Sequence, residues 1–187
     1  MTKCPSLPSS RFRGERAITE FDCPSTNTSN VHSPTDILRV LPHRYPFLFV
    51  DQVTEFIPGR RIAATKRFSV DDEAARGYLS TSPIIPIGVL LELVTQLGAI
   101  LVMERPEMAG KVAVIVQIPT ARLTKVVEPG DTLCVEAEVI KIGERLGELR
   151  GAIFRAGELV AEGQMRFAIV EAAQILEKSG VRSQESE

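Results

Sequence analysis

The stretch IIPIGVLLELVTQLGAILVM, residues Ile84–Met103, is a long apolar run that contains one carboxylate, Glu92. Its length approaches that of a bilayer-spanning helix. However, the carboxylate lies near its centre together with Thr95 and Gln96, where a charge would be costly in lipid. The run therefore predicts a helix buried inside a globular domain, and no membrane insertion.

A polar stripe follows one face of this helix, which we predict to run from about Ile87 to Glu104. Residues three and four apart share a helix face, which groups Gly88, Glu92, Thr95, Gln96 and Ala99. Either Glu92 bonds internally, for example to Gln96, on a face that reaches solvent, or it lines a ligand cavity. In a cavity, burial raises the pKa of a carboxylate and suits it to acid–base chemistry. The pattern leaves both interpretations open.

The start of the helix is a second candidate feature. Ile87, Gly88 and Val89 would present free backbone N–H groups and the positive end of the helix dipole. Such an end can polarise a carbonyl, and it lies about a turn and a half from Glu92, roughly 7–8 Å. The alternative is an ordinary helix start capped by water. Ile87 and Gly88 are therefore candidate substrate-binding residues.

The rest of the chain predicts an α+β domain. A short helix is expected to begin at Ser33 and end at Pro42, and a helical turn is expected over Asp71–Arg76. Strands are predicted over Phe47–Phe56, Arg61–Val70, Lys111–Ile118, Leu133–Val139, Leu146–Arg155 and Leu159–Val170. The continuous apolar run Lys111–Ile118 is typical of a buried central strand. This order predicts a mostly antiparallel sheet around one buried helix.

Length and composition limit the organisation and the partners. The 187 residues fit a disordered arm over 1–32, one domain over 33–172 and a polar tail over 173–187. A net charge of −2 gives no bulk electrostatic case for nucleic acid. Three cysteines without metal-site spacing, only two histidines and no apolar leader predict no metal, no disulfide framework and a reducing, cytoplasmic compartment.

Four motifs resemble one family, the 3-hydroxyacyl-[acyl-carrier-protein] dehydratases of fatty acid synthesis. They are LPHRYPFLFVDQV (Leu41–Val53), PIIP with Glu92 six residues beyond its second proline, ARLTKVVEPGDTL (Ala121–Leu133) and GELVAEGQM (Gly157–Met165). The resemblance runs from about Ser33 to Val170. It implies the hot-dog fold, in which a sheet wraps a central helix, usually in a dimer or a trimer of dimers. It also implies an interface tunnel for an acyl chain carried on phosphopantetheine.

The catalytic segment departs from the family pattern. The family pairs a histidine and a glutamate from opposite protomers, with the histidine in G-H-F-P-x-x-P-x-M-P-G, whereas residues 77–87 here read GYLSTSPIIPI. The glutamate carries over to Glu92 and its neighbour to Gln96, but Tyr78 replaces the histidine. Gln117 departs from the small and acidic residues common in the following strand, and is a further candidate substrate-binding residue. His43, in LPHRYP, occupies a structural position in the family.

The tyrosine changes what the site is expected to do. Dehydration of a 3-hydroxyacyl thioester needs one group that accepts a proton and one that donates. Using a phenolate at pH 7 would add about 4 kcal/mol to the barrier. Tyr78 can still donate a hydrogen bond, and Glu92 could act alone. Three hypotheses follow: altered or weak dehydratase activity, a non-catalytic acyl-binding subunit that pairs with a histidine-bearing paralogue, or an ordinary dehydratase.

The expected partners follow from the same resemblance. We expect an acyl thioester of acyl carrier protein or coenzyme A, no cofactor, and a homodimer, a higher homo-oligomer or a heterodimer with a related chain. Basic residues beside the strands form either a docking patch for an acidic carrier protein or solvated strand edges. They are Arg44, Arg60, Arg61, Lys66, Arg67, Arg122 and Lys125.

Overall fold

The computed structural model describes residues 32, 34–73 and 83–178, and in them the predicted α+β class is confirmed. The described strands form a six-stranded antiparallel sheet in the order β1-β2-β4-β5-β6-β3. The helices are α1 (Pro34–Val40), α2 (Ile87–Met103) and α3 (Ala172–Lys178), with a 3-10 turn at Pro106–Met108. The strands are β1 (Gln52–Ile57), β2 (Arg61–Arg67), β3 (Lys111–Leu123), β4 (Thr132–Ile142), β5 (Leu146–Arg155) and β6 (Glu158–Glu171).

Short turns join β1 to β2 and β5 to β6. Arg155 pairs with Glu158 across the β5–β6 turn, where Ala156 and Gly157 both have positive φ, 50° and 79°. This conformation suits the right-handed twist of two antiparallel strands. Gly59, with φ 68°, lies in the β1–β2 turn. The turn residues therefore fix the strand register that places the sheet against α2.

The core lies between α2 and one face of the sheet. Leu90, Leu93 and Leu97 of α2 are fully buried. Leu133, Val135 and Ala137 of β4 are fully buried in the same cluster, whereas Glu136, on the alternate face of the strand, is also buried at 3% exposure. No helix in the described part of the chain combines the length and the hydropathy that crossing a bilayer demands. The apolar character of α2 is therefore used inside the domain.

Two sheet glycines let the central helix approach closely. A Cβ atom at Gly151 would lie 2.2 Å from Cγ1 of Val94, and one at Gly163 would lie 2.7 Å from Cδ2 of Leu91. Real Cβ atoms do not tolerate such distances, so a larger residue would push the helix away. The close approach fixes the depth at which the polar stripe of α2 meets the surrounding strands.

The prediction that Lys111–Ile118 is a buried central strand is wrong. Among the described strands, β3 pairs only with β6 and forms an edge of the sheet. Val116 is 57% exposed and Ile118 is 44% exposed. A continuous apolar run predicts that the side chains of a strand are buried. It does not show whether the same chain or a second chain buries them. The edge of the sheet is therefore apolar and open in the single chain.

The cysteine expectation is wrong for one residue. Cys134, on β4, is disulfide-bonded, whereas the sequence predicted no disulfide framework. Cys4 and Cys23 lie outside the described residues. An odd number of cysteines without motif spacing does not show which of them meet in the fold.

Several predictions concern residues that the structure does not describe. The arm at 1–31 and the end of the tail at 179–187 lie outside the described residues, as do Ser33 and the second half of the turn predicted over Asp71–Arg76. The domain boundaries at 32/33 and 172/173 therefore stay predictions. Tyr78 also lies outside the described residues.

Candidate active site

The side-chain amide of Gln96 joins α2 to the segment that precedes β1. Its Oε1 accepts a hydrogen bond from the backbone N–H of Phe49 at 2.9 Å. Its Nε2 donates to the backbone carbonyl of Phe47 at 2.7 Å. Gln96 is 1% exposed, so these bonds satisfy an amide that would otherwise be costly to bury. The segment is thereby fixed against the polar stripe of the helix.

The same amide also holds the carboxylate of Glu92. Gln96 Nε2 donates to Glu92 Oε1 at 2.9 Å, and the Thr95 hydroxyl donates to the backbone carbonyl of Glu92 at 2.8 Å, with Glu92 Oε2 as a second acceptor at 3.1 Å. The spacings of three and four residues on one helix produce both contacts, as the stripe predicted. The side chain of Glu92 keeps 26% exposure, so one face of the carboxylate stays accessible. Its own helix therefore orients the acid.

His43 is the residue that sequence reasoning placed in a structural role and the structure brings to the acid. Its Nε2 lies 3.6 Å from Glu92 Oε1, and its ring packs against Phe47 with centroids 5.9 Å apart. Arg44 stabilises this turn, since its guanidinium donates to the carbonyls of Leu41 and His43 at 2.8 and 2.7 Å. A signal for the contact existed: a buried polar stripe needs partners from a neighbouring segment.

A cavity of about 270 Å³ connects this polar cluster with an apolar wall. Its polar end consists of His43, Glu92, Thr95 and Gln96. The wall is built from α2, β3, β5 and β6, and consists of Gly98, Ala99, Val102, Ala113, Val114, Ile115, Leu149 and Phe167. Glu92 therefore bonds to Gln96 and also lines a cavity, and the prediction that this cavity takes a ligand stays a prediction.

The other candidate residues lie outside this cavity in the single chain. Ile87 and Gly88 begin α2, whose cap residue Pro86 makes no side-chain capping hydrogen bond, and Gly88 is exposed. Gln117 is exposed on β3, and its Oε1 accepts a hydrogen bond from Arg166 Nη1 at 3.0 Å. The roles of Ile87, Gly88 and Gln117 in substrate binding stay predictions.

Most of the predicted basic patch is engaged within the chain. Lys66 pairs with Asp51 at 2.8 Å and is 7% exposed. Arg61 lies 3.2 Å from the buried Glu136, and burial raises the pKa of that carboxyl although the guanidinium opposes the shift. Arg122 and Lys125 pair with acids of β6, and Arg44 bonds backbone carbonyls. Arg60 and Arg67 are exposed at strand ends. The contacts favour internal pairing over a continuous docking patch.

The arrangement suits proton transfer to a small organic ligand. A carboxylate with fixed geometry faces an imidazole, and both lie at the polar end of an apolar cavity. Carboxylates and imidazoles are the usual general acids and bases of enzymes. A sheet that wraps one long helix, with such an acid on the helix, defines a hot-dog protein with a candidate acid–base site.

Comparisons with known proteins agree with this class. A family model described as a FabA-like domain matches residues 41–169. The chain is 40% identical over 136 residues to 3-hydroxyacyl-[acyl-carrier-protein] dehydratase FabZ of Symbiobacterium thermophilum, covering 73% of this chain and 96% of the relative. It is 37% identical over 135 residues to the FabZ of Enterococcus faecalis, covering 72% and 96%.

Solved structures show the same fold. The dehydratase heterocomplex ApeI:P from Xenorhabdus doucetiae matches with a TM-score of 0.64 and 16% identity, covering 76% of this chain and 96% of that chain. The protein smu.793 from Streptococcus mutans UA159, bound to acetyl CoA, matches with a TM-score of 0.54 and 17% identity, covering 70% and 94%. The predicted resemblance is confirmed, and the chain belongs to the FabA-like domain family.

The substitution Gln96→Met tests whether the amide holds the site together. It removes the partners of the Phe49 N–H and the Phe47 carbonyl, and we expect the free energy of unfolding to fall by about 2–3 kcal/mol. The matched control Thr95→Val removes one hydroxyl from the same carboxylate and is expected to cost about 1 kcal/mol or less. Chemical denaturation measures both. Equal losses in the two variants would contradict the joining role of Gln96.

Proposed function

We propose that this chain binds an acyl thioester in the cavity beside α2 and dehydrates 3-hydroxyacyl thioesters at a reduced rate, with Glu92 as the acid–base residue. The observation that carries the proposal is the carboxylate of Glu92, held by Thr95 and Gln96 at the polar end of an apolar cavity. Family membership supports the thioester class, because the relatives named above are 3-hydroxyacyl-[acyl-carrier-protein] dehydratases. A cytoplasmic location belongs to the same proposal, although the disulfide of Cys134 is unusual in a reducing compartment.

The shape of the cavity fits one acyl chain with a polar end. Ligand sites are mostly apolar, with a few polar groups that set orientation. Here the polar groups lie at one end and the apolar wall leads away towards β3, so a 3-hydroxyacyl chain would place its hydroxyl and carbonyl near Glu92. The volume of about 270 Å³ is slightly below the usual range for ligand sites, so a second chain would have to complete it.

Replacement of the family histidine by Tyr78 supports the reduced rate. A neutral imidazole accepts a proton readily at pH 7, whereas a phenol must first ionise, at a cost of about 4 kcal/mol. Glu92 can remove the α-proton and then protonate the leaving hydroxyl, which expels water and leaves the enoyl thioester. A site that works mainly through one carboxylate is slower than one with two matched groups.

Glu92→Gln is the direct test of the proposal. The amide keeps the size of the side chain but cannot accept the α-proton, so turnover of a 3-hydroxyacyl-[acyl-carrier-protein] should fall by about 10²-fold or more. Glu107→Gln is the matched control, since Glu107 is 54% exposed and pairs with Arg105. Enoyl thioester formation is the measurement, over several chain lengths. No turnover by the unmodified chain at any length would refute the catalytic proposal.

Tyr78→His tests whether the tyrosine limits the rate. Restoring an imidazole at this position adds a second acid–base group beside Glu92, and we expect turnover to rise tenfold or more. Tyr78→Phe serves as the control for the loss of the phenol hydroxyl. An unchanged rate in Tyr78→His would contradict the proposed limitation and favour an ordinary dehydratase with different residue roles.

A second candidate function is a non-catalytic subunit that pairs with a histidine-bearing paralogue. The exposed apolar edge formed by Val114, Val116 and Ile118 favours pairing of some kind, because such edges are normally covered. The cavity wall ends on the same strand, with Ala113, Val114 and Ile115. One solved protein of this fold is itself a dehydratase heterocomplex. We propose that β3 contacts either a second copy or a related hot-dog chain.

Val116→Glu tests the role of this edge. Val116 is 57% exposed, and a buried carboxylate in an interface is costly, so we expect the oligomer to dissociate to monomers in light-scattering measurements. Leu146→Glu is the control, because Leu146 is 62% exposed on β5, two strands away. If the unmodified chain is already a monomer, co-purification with a histidine-bearing hot-dog chain decides for the heterodimer, and its absence counts against pairing through β3.

A further inference from the structure

The chain lacks a histidine at position 78, but it brings a different imidazole to the same carboxylate. His43 Nε2 lies 3.6 Å from Glu92 Oε1, and both side chains line the cavity. We propose that His43 is the imidazole of this site and acts as the general acid that partners Glu92 from within the same chain. The inference rests on the proposed dehydratase function.

The surroundings of the ring favour a proton on the nitrogen that faces Glu92. Nδ1 of His43 is buried and has no hydrogen-bond partner in the described part of the chain, whereas Nε2 faces a carboxylate. A buried N–H without an acceptor is costly, so the proton belongs on Nε2. The remaining side chains at this end of the cavity are Thr95 and Gln96, and both donate to Glu92. The proton on His43 Nε2 therefore faces the carboxylate of Glu92, and a proton can pass between the two side chains.

A ring kept only for packing would avoid this cost. His43 packs against Phe47, and an apolar side chain at this position would make the same kind of contact without a buried, unpartnered nitrogen. The side chain of His43 is 29% exposed and that of Glu92 is 26% exposed, so a substrate in the cavity can reach both. His32 has an unpartnered Nδ1 as well, so it is the access from the cavity that Glu92 lines, which His43 has and His32 lacks, that favours a chemical role for this imidazole.

The proposed step balances without any co-reactant. The ionised Glu92 removes the α-proton, and the electron pair of that C–H bond forms the Cα=Cβ double bond. The Cβ–O bond breaks, and the Nε2–H of the neutral His43 ring protonates the departing hydroxyl, which leaves as water. In the same step Glu92 passes its proton to Nε2 across the 3.6 Å gap, which restores both groups and leaves the ring neutral throughout. The products are an enoyl thioester and water.

The experiment compares the two histidines, because each contacts a glutamate of α2 or of its end. His43→Gln keeps a neutral donor towards Glu92 but cannot supply an acid proton. We expect kcat to fall by about 10²–10⁴-fold, with little change in KM. His32→Gln is the matched control, since His32 contacts Glu104 and lies outside the cavity.

Three outcomes would overturn the inference. If His43→Gln keeps its rate while Glu92→Gln is inactive, the inference fails and the proposed function stands. If His43→Gln changes kcat and KM together, in proportion to its loss of stability, His43 is only structural. If the unmodified chain turns over no 3-hydroxyacyl thioester, both fail. Should the variant not fold, the unmodified enzyme decides, because a rate independent of pH between about 5 and 8 excludes an imidazole.

Discussion

The amide of Gln96 joins parts of the chain that are 47 and 49 residues apart in sequence, and it also holds the candidate acid. This one buried side chain holds the segment before β1 against α2 and fixes the carboxylate of Glu92. Through that segment it also places His43 near Glu92. Amides suit this task because they donate and accept at the same time and carry no charge to desolvate. The position of the site therefore depends on a hydrogen-bonded amide rather than on apolar packing alone.

Glycine positions in the sheet complete this constraint. Gly151 and Gly163 let α2 approach the sheet until Val94 and Leu91 fill the space that their side chains would occupy. At that depth the polar stripe no longer reaches solvent freely, and it faces the cavity and the segment that contains His43. Backbone geometry and amide bonding therefore act together, the first setting the depth of the helix and the second its partners.

The sequence predicted the elements of the fold well, and the site in part. Periodicity and turn residues located α2, the strands and the bond between Gln96 and Glu92, because these are local patterns. The contact of His43 with Glu92 depends on the path of the chain between Val40 and Phe49, which periodicity does not describe. The edge position of β3 depends on strand order, which hydropathy does not describe. The apolar character of Val116 predicts only that some surface covers its side chain.

The exposed edge of the sheet and the wall of the cavity are formed by the same strand, β3. Ala113, Val114 and Ile115 line the cavity from β3, and Val114 and Val116 of the same strand are exposed. A chain that covers this strand would bury its apolar residues and close the cavity in one event, because Val114 is exposed and also lines the cavity. The assembly of two chains would then determine both stability and access to Glu92. It follows that the identity of the covering chain, a second copy or a paralogue, also determines which further groups face the acid.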